Sequence, residues 1–244
     1  MHVPSGFTFL LQPIVFAGLC NSDVNVMIDG TLIAPSDPSQ WKCKDNCSQW
    51  ITFHDLNNLS ISGAGDDCIS IGDGSAYLNI SSITCGPGHG ISVGSLGFNG
   101  ANETVEHVYV SDVVFRGTEN GVRIKTWQGG KGYATDIAFE RITNFDSKRP
   151  IVIDQFYCDD HLTCTNQTSA VAISNVRYNG IQGTSQGEIA IKFACSETLP
   201  CTDIYMNGVN LSSDDTTNKT TSSCQNVQGT QHEVVPNVPC LTNK

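Results

Sequence analysis

The chain is predicted to be all-β, a single parallel β-helix domain spanning residues 1–244. Three observations predict this. Helical i, i+3, i+4 patterning is weak throughout, while short alternating runs rich in Val, Ile, Phe and Tyr dominate, punctuated by 23 glycines. One pattern recurs: two apolar residues two apart, a polar pair, then two more apolar residues two apart. Between its copies lies a second class of short strand, often led by glycine or proline, and the two classes alternate in fixed order. Repeats of this kind cannot bury an apolar face alone, so they stack, and corresponding residues of successive coils lie about 4.8 Å apart.

The elements follow in chain order. "FTFLLQPIVFAGLC" (7–20) is apolar, but Gln12-Pro13 interrupts it and no Lys or Arg precedes it. It reads as strand rather than signal peptide, so the chain is expected to begin inside a coil. The first pattern reads as "LNISSITC" (78–85), "VYVSDVVF" (108–115), "VAISNVRY" (171–178) and "IYMNGVNL" (204–211), with "IAFERITNF" (137–145) a looser copy. The polar pair marks a bend between two short strands. The second class comprises "CISIG", "GISVG", "GVRIK", "PIVID" and "EIAIK". An antiparallel β-sandwich would instead predict two-residue Asn-Gly or Asp-Gly hairpins, and most junctions here are longer or lack them. No run is long enough to cross a membrane.

A formal net charge of −11 argues against a nucleic-acid partner. An anionic ligand remains compatible if the 13 Lys and Arg are gathered in one place. Of the 11 cysteines, several lie in close pairs: Cys43/Cys47, Cys158/Cys164, Cys195/Cys201 and, more loosely, Cys68/Cys85 and Cys224/Cys240, leaving Cys20 alone. Zinc-site spacing is missing, so disulfides in an oxidising compartment are expected. N-x-[ST] sequons at Asn46, Asn58, Asn79, Asn102, Asn166, Asn210 and Asn218 point the same way, to a secreted glycoprotein.

Aligning the second-class strands on Ile69/Ile71, Ile91/Val93, Val122/Ile124, Ile151/Ile153 and Ile189/Ile191 brings polar residues into register. Asp66 and Asp67 enter the first rung, and His89 of "GPGHG" takes the offset of Asp67 in the second. Arg123 and Lys125 flank Ile124 in the third. Asp154 and Tyr157 occupy the fourth. Each motif alone has a plainer reading: "DD" as a solvated turn or calcium ligands, "GHG" as a tight turn, "RIK" as a surface ion pair. His2, His54, His107, His161 and His232 share no motif and read as structural or solvated. The co-registered set fits cleavage of an acidic sugar chain. Glycoside hydrolysis needs one carboxyl to protonate the leaving oxygen and another to activate water or attack. Adjacent carboxylates keep a proton available, and the cations would grip substrate carboxylates.

"GDDCISIG" (65–72), "CGPGHGISVGSLG" (85–97), "NGVRIKTW" (120–127) and "PIVIDQFYC" (150–158) resemble the signature of plant polygalacturonases, the pectin-cleaving family 28 glycoside hydrolases. The resemblance covers nearly the whole chain. It implies a right-handed parallel β-helix and inverting hydrolysis of α-1,4-linked galacturonan, with no metal or other cofactor. Position by position, it implies Asp66 as general acid and Asp67 as a water-activating partner. His89 would tune the acid and contact substrate. Arg123 and Lys125 would bind galacturonate carboxylates, and Tyr157 would line the same subsite. It also implies a Cys68–Cys85 disulfide, polygalacturonate or pectin as partner, a monomer, and an extracellular, cell-wall location.

One family motif, Asn-Thr-Asp-Gly, is missing. Gly63 meets Gly65 with only Ala64 between, where the family has several further coils. The chain therefore reads as a member with an internal block deleted, joined near residues 63–65. Asp45 in "KCKDNC" does not match the missing motif and reads as a solvated loop residue. Loss of one of two water-activating carboxylates predicts weak or absent turnover. The alternatives are a truncated, non-catalytic product that at most binds pectin, or a pectate lyase using calcium and an arginine base. The carboxylates available for calcium are too few to favour the lyase.

Overall fold

The computed structural model describes residues 1–17, 24–33, 51–54, 59–62, 67–158, 164–213 and 219–243. It is a parallel β-solenoid. Its first strands are β1 (His2–Val3), β2 (Thr8–Leu10), β3 (Ile14–Ala17), β4 (Val24–Ile28), β5 (Thr31–Ile33), β6 (Ile51–His54) and β7 (Leu59–Ser62). They pair in parallel as β1-β4-β7, β2-β5 and β3-β6, with one strand of each set per coil. β7 lies against β9 (Ser75–Cys85), which carries the stack onward.

From there two parallel sheets run the length of the molecule. The six-stranded sheet stacks β8 (Ile69–Ile71), β10 (Ile91–Leu96), β12 (Asn120–Trp127), β14 (Arg149–Tyr157), β16 (Ile189–Ala194) and β18 (Thr221–Gln225). The seven-stranded sheet stacks β9, β11 (Asn102–Arg116), β13 (Lys131–Ser147), β15 (Ala172–Ser185), β17 (Cys201–Ser213), β19 (Val227–Val235) and β20 (Thr242–Asn243). Among the described residues, the only helical segment is a three-residue 3-10 turn at Phe98–Gly100.

The core lies between the sheets and is built in columns. Ile69, Ile91, Val122, Ile151 and Ile191 stack in one; Ile71, Val93, Ile124, Ile153 and Phe193 stack in the next. The facing wall supplies Val110, Phe139, Tyr178 and Met206, all fully buried. Each such side chain contributes about 1.5–3 kcal/mol of apolar burial. Tyr178 stacks on Phe139 at 5.4 Å and reaches Phe193 of the other sheet at 5.8 Å. Its hydroxyl has no hydrogen-bond partner among the described residues, and burial pushes its pKa well up.

The expected bends are present, and there are two per coil. Residues with left-handed φ stack in one column through Tyr77, His107, Asp136, Asn175 and Asp203, and in another through Asp112, Arg141, Gly180 and Gly208. Left-handed backbone costs a side-chain-bearing residue about 1–2 kcal/mol, and coil-to-coil contacts offset it. Asn175 and His107 both bond Asp136, Tyr77 stacks on His107 at 4.6 Å, and Arg141 grips Asp112 through two N–H groups at 2.7 and 2.8 Å. That guanidinium holds the Asp112 carboxyl below its usual range.

Two points of register are corrected, the first by the double bend. The copy read at 171–178 starts five residues early, because Ile137 pairs with Val176 rather than Val171. Ser174-Asn175 imitates the expected polar pair but sits at the other bend. Likewise Ile151 pairs with Ile191, not Ile189. Ile189 is 38% exposed, while Phe193 fills the core beside Tyr178. Four of the expected cysteine pairs form disulfides: Cys68–Cys85, Cys158–Cys164, Cys195–Cys201 and Cys224–Cys240. Cys20, Cys43, Cys47, Asp45 and the 63–65 junction lie outside the described residues.

Candidate active site

The six-stranded sheet carries Arg123 and Lys125 on its outward face. A strand alternates its side chains, so β12 buries Val122 and Ile124 inward and turns Arg123 and Lys125 the other way. Parallel stacking sets Arg123 directly beside Ser92 of β10, which sits beside Ser70 of β8. Asp67, two residues ahead of β8, reaches across this strip. Its Oδ1 accepts hydrogen bonds from Arg123 Nη2 at 2.7 Å and Ser92 Oγ at 2.7 Å, and its Oδ2 accepts one from Lys125 Nζ at 2.6 Å. Arg123 Nε donates to Ser92 Oγ at 2.9 Å and closes the ring.

This is a nearly buried ion cluster: the side chains of Asp67, Lys125 and Arg123 are 6%, 9% and 12% exposed. Desolvated charges persist only when paired and hydrogen-bonded, which this geometry provides. Both cations expected to grip a substrate carboxylate are thus already engaged with a protein carboxylate.

Tyr157 joins the cluster through its ring, whose centroid lies 5.2 Å from Lys125 Nζ, a cation–π contact. Asp154, the register partner of Lys125, turns instead to Lys192 at 3.3 Å and to the Phe156 N–H at 3.0 Å. His89 occupies the offset of Asp67 one coil on, as expected. It faces Glu119, with Nε2 3.4 Å from Oε2, and Glu119 also pairs with Arg149. The turn that presents His89 needs glycine beside it. Gly90 has φ +92°, and a Cβ there would come within 2.2 Å of the Asn120 carbonyl oxygen. Asn120 is buried and donates its Nδ2–H to the His89 carbonyl at 3.3 Å. Asp66 lies outside the described residues.

The structure therefore brings together Asp67, Arg123, Lys125 and Tyr157, with His89 on the neighbouring rung. Sequence reasoning missed Ser92 and Glu119. Ser92 could have been found: it sits between Ile91 and Val93, so it must share the outward face with Arg123. Glu119 lies in a loop outside the aligned strands and gave no signal. Among the described residues, no three His, Cys, Asp or Glu side chains are gathered as a metal ion would require, and no helix is long and apolar enough to cross a membrane.

The profile for glycosyl hydrolases family 28 matches residues 63–235. A polygalacturonase of Prunus persica is 32% identical over 337 aligned residues, taking in 99% of this chain and 84% of the relative. One of Persea americana is 33% identical over 329, taking in 95% and 71%. Both alignments are longer than the 244 residues of this chain, so these relatives carry stretches that it lacks. Polygalacturonase-2 of Solanum lycopersicum is 50% identical over a shorter 164 residues, 67% of this chain and 35% of the relative.

Proposed function

The chain belongs to glycosyl hydrolase family 28, and on that premise we propose that it hydrolyses the α-1,4-galacturonosyl linkages of pectin by inverting acid–base chemistry. The observation that carries this reading is the single outward strip on which Asp67, Arg123, Lys125 and Tyr157 meet. A sugar carboxylate needs forked and point-charge donors of this kind in a protein that is otherwise strongly anionic. Arg123 gives Asp67 and Ser92 two of the five N–H donors a guanidinium carries, and the others can meet a ligand. In the proposed reaction Asp66 protonates the leaving glycosidic oxygen. Water attacks the anomeric carbon from the opposite face and passes its proton to Asp67. His89 tunes Asp66 and contacts the sugar, and Tyr157 lines the subsite. No metal takes part. The protein works as a secreted, monomeric, cell-wall glycoprotein.

A specific observation favours a second reading, a non-catalytic pectin binder. Both oxygens of Asp67 are held by cations and a hydroxyl, which leaves it poorly disposed to take a proton from water, and the relatives carry stretches this chain lacks. The same assay tests both readings. The chain is expressed through a secretory route, and new reducing ends and ultraviolet absorbance are measured on polygalacturonic acid with calcium and with chelator, beside an Asp66→Asn control. Chelator-insensitive activity that disappears in the control supports the hydrolase. A folded chain with no turnover leaves only the binder. A calcium-dependent, ultraviolet-absorbing product would overturn both in favour of a lyase.

A further inference from the structure

Beyond Tyr157 the candidate site continues as a row of rings. Tyr157 meets Trp127 edge-on at 5.0 Å, and Trp127 meets Phe98 edge-on at 4.8 Å. The row crosses three coils, from β14 through β12 to the turn after β10. Phe98 is its open end and is 46% exposed.

A single exposed apolar side chain is ordinary. The way Phe98 is held is less so. The turn is closed by the Gly100 N–H on the Gly97 carbonyl at 3.2 Å and the Ala101 N–H on the Phe98 carbonyl at 3.1 Å. Ahead of it, Gly97 gives its N–H to Glu103 Oε2 at 2.6 Å. Gly97 has φ +85°, and a Cβ there would lie 2.7 Å from Gly130 Cα on the next coil, so the turn is seated directly on that coil. The Lys131 N–H then bonds the Ala101 carbonyl at 2.9 Å. An apolar ring is thus fixed in water at the end of a row that begins at the Lys125 ammonium.

We infer that Phe98, backed by Trp127, is a stacking platform for one further galacturonosyl ring of a bound pectin chain, beyond the ring held by Arg123 and Lys125. The C–H face of a pyranose carries slight positive charge, and the face of an aromatic ring slight negative charge, so the two stack as they shed water. Phenylalanine offers no charge and no hydrogen bond. The platform therefore accepts a free or a methyl-esterified sugar alike, whereas the Arg123/Lys125 position selects a free carboxylate. This inference rests on the reading of the chain as a binder of galacturonan.

The test uses calorimetric titration with oligogalacturonides of increasing length, in the Asp66→Asn background so that ligand is not consumed. Phe98→Ala should weaken the longer oligomers about three- to tenfold and leave digalacturonate unchanged. Phe98→Tyr should retain wild-type affinity, and both variants should keep the parent melting temperature. An equal loss for short and long oligomers, or none, overturns the platform while the binder reading stands. If the parent chain binds no oligogalacturonide of any length, both fall together.

Discussion

Asp67→Asn tests whether the cluster on the outward strip is an ion network held together by one carboxylate. The carboxylate accepts from Arg123 and Ser92 on one oxygen and from Lys125 on the other. Asparagine can keep the first set. In place of Oδ2 it sets an NH₂ donor against the Lys125 ammonium, also a donor. Two nearly buried cations then lose their counter-charge. Breaking a buried pair costs about 3–5 kcal/mol. The residual exposure of Arg123, 12%, lets water take up part of the loss and favours the lower figure. A deficit of about 3 kcal/mol should lower the melting midpoint by about 6–12 °C in a domain of this size. Differential scanning calorimetry reads this directly. Adding Lys125→Met to the variant removes one of the stranded charges and should recover part of the loss, so the two changes should be non-additive by about 1–2 kcal/mol. A midpoint within about 2 °C of wild type, on the scale of a surface substitution, would refute the reasoning, as would strict additivity.

Tyr178→Phe should be neutral or stabilising by about 1 kcal/mol, since it removes a buried hydroxyl with no partner; denaturant titration measures it. The same residue has a pH signature. Its folded pKa is raised, so its contribution is present below the unfolded value and is lost above about pH 10, where the unfolded phenol ionises first. Wild type should lose stability with alkaline pH more steeply than Tyr178→Phe, by up to about 1.4 kcal/mol per pH unit; equal slopes would argue against a buried, protonated phenol. Gly90→Ala should cost about 2–4 kcal/mol, because its Cβ meets two carbonyl oxygens of the next coil at 2.2 and 2.4 Å; an unchanged unfolding curve would show that the coils are not so closely stacked. Replacing Cys68 and Cys85 together by alanine opens a loop of sequence separation 17 and should cost about 3 kcal/mol, read as a lower thermal midpoint that reducing agent shifts less than it shifts wild type.

Most of the architecture was legible because apolar alternation is imposed on every coil. Ile69, Ile91, Val122 and Ile151 had to stack, and their alignment put Asp67 and His89 at one offset and Arg123 and Lys125 on one face. The errors have a common source. Each coil bends twice, and a polar pair such as Ser174-Asn175 looks the same at either bend, so the register there could be set only by which residues fill the core. "IAIKF" offers three alternating apolar positions, and the bulk of Phe193, not the pattern, decides which two face inward. At the site, the sequence indicated which residues share the strip but not how they divide their hydrogen bonds. Asp67 read as a group for water, yet it sits between two cations that lie 56 and 58 residues away along the chain. Glu119 and Phe98 were illegible because turns carry no period.

The ladders that join the coils have a mechanical consequence. Their hydrogen bonds point along the solenoid's long axis, so tension applied between its two ends pulls each bond along its own direction. Rungs then open in sequence, and the molecule should peel from an end one coil at a time at low force, without a single shearing event. Register partners on successive coils are 25 residues apart at Asn207/His232, 31 at Ser92/Arg123 and 39 at Thr135/Ser174, so a released coil adds about 80–140 Å of contour. A force–extension trace should show teeth of unequal spacing within roughly that range. The tooth from the coil bearing Cys68–Cys85 should be shorter until the disulfide is reduced, because the bridge keeps the residues between its cysteines from extending.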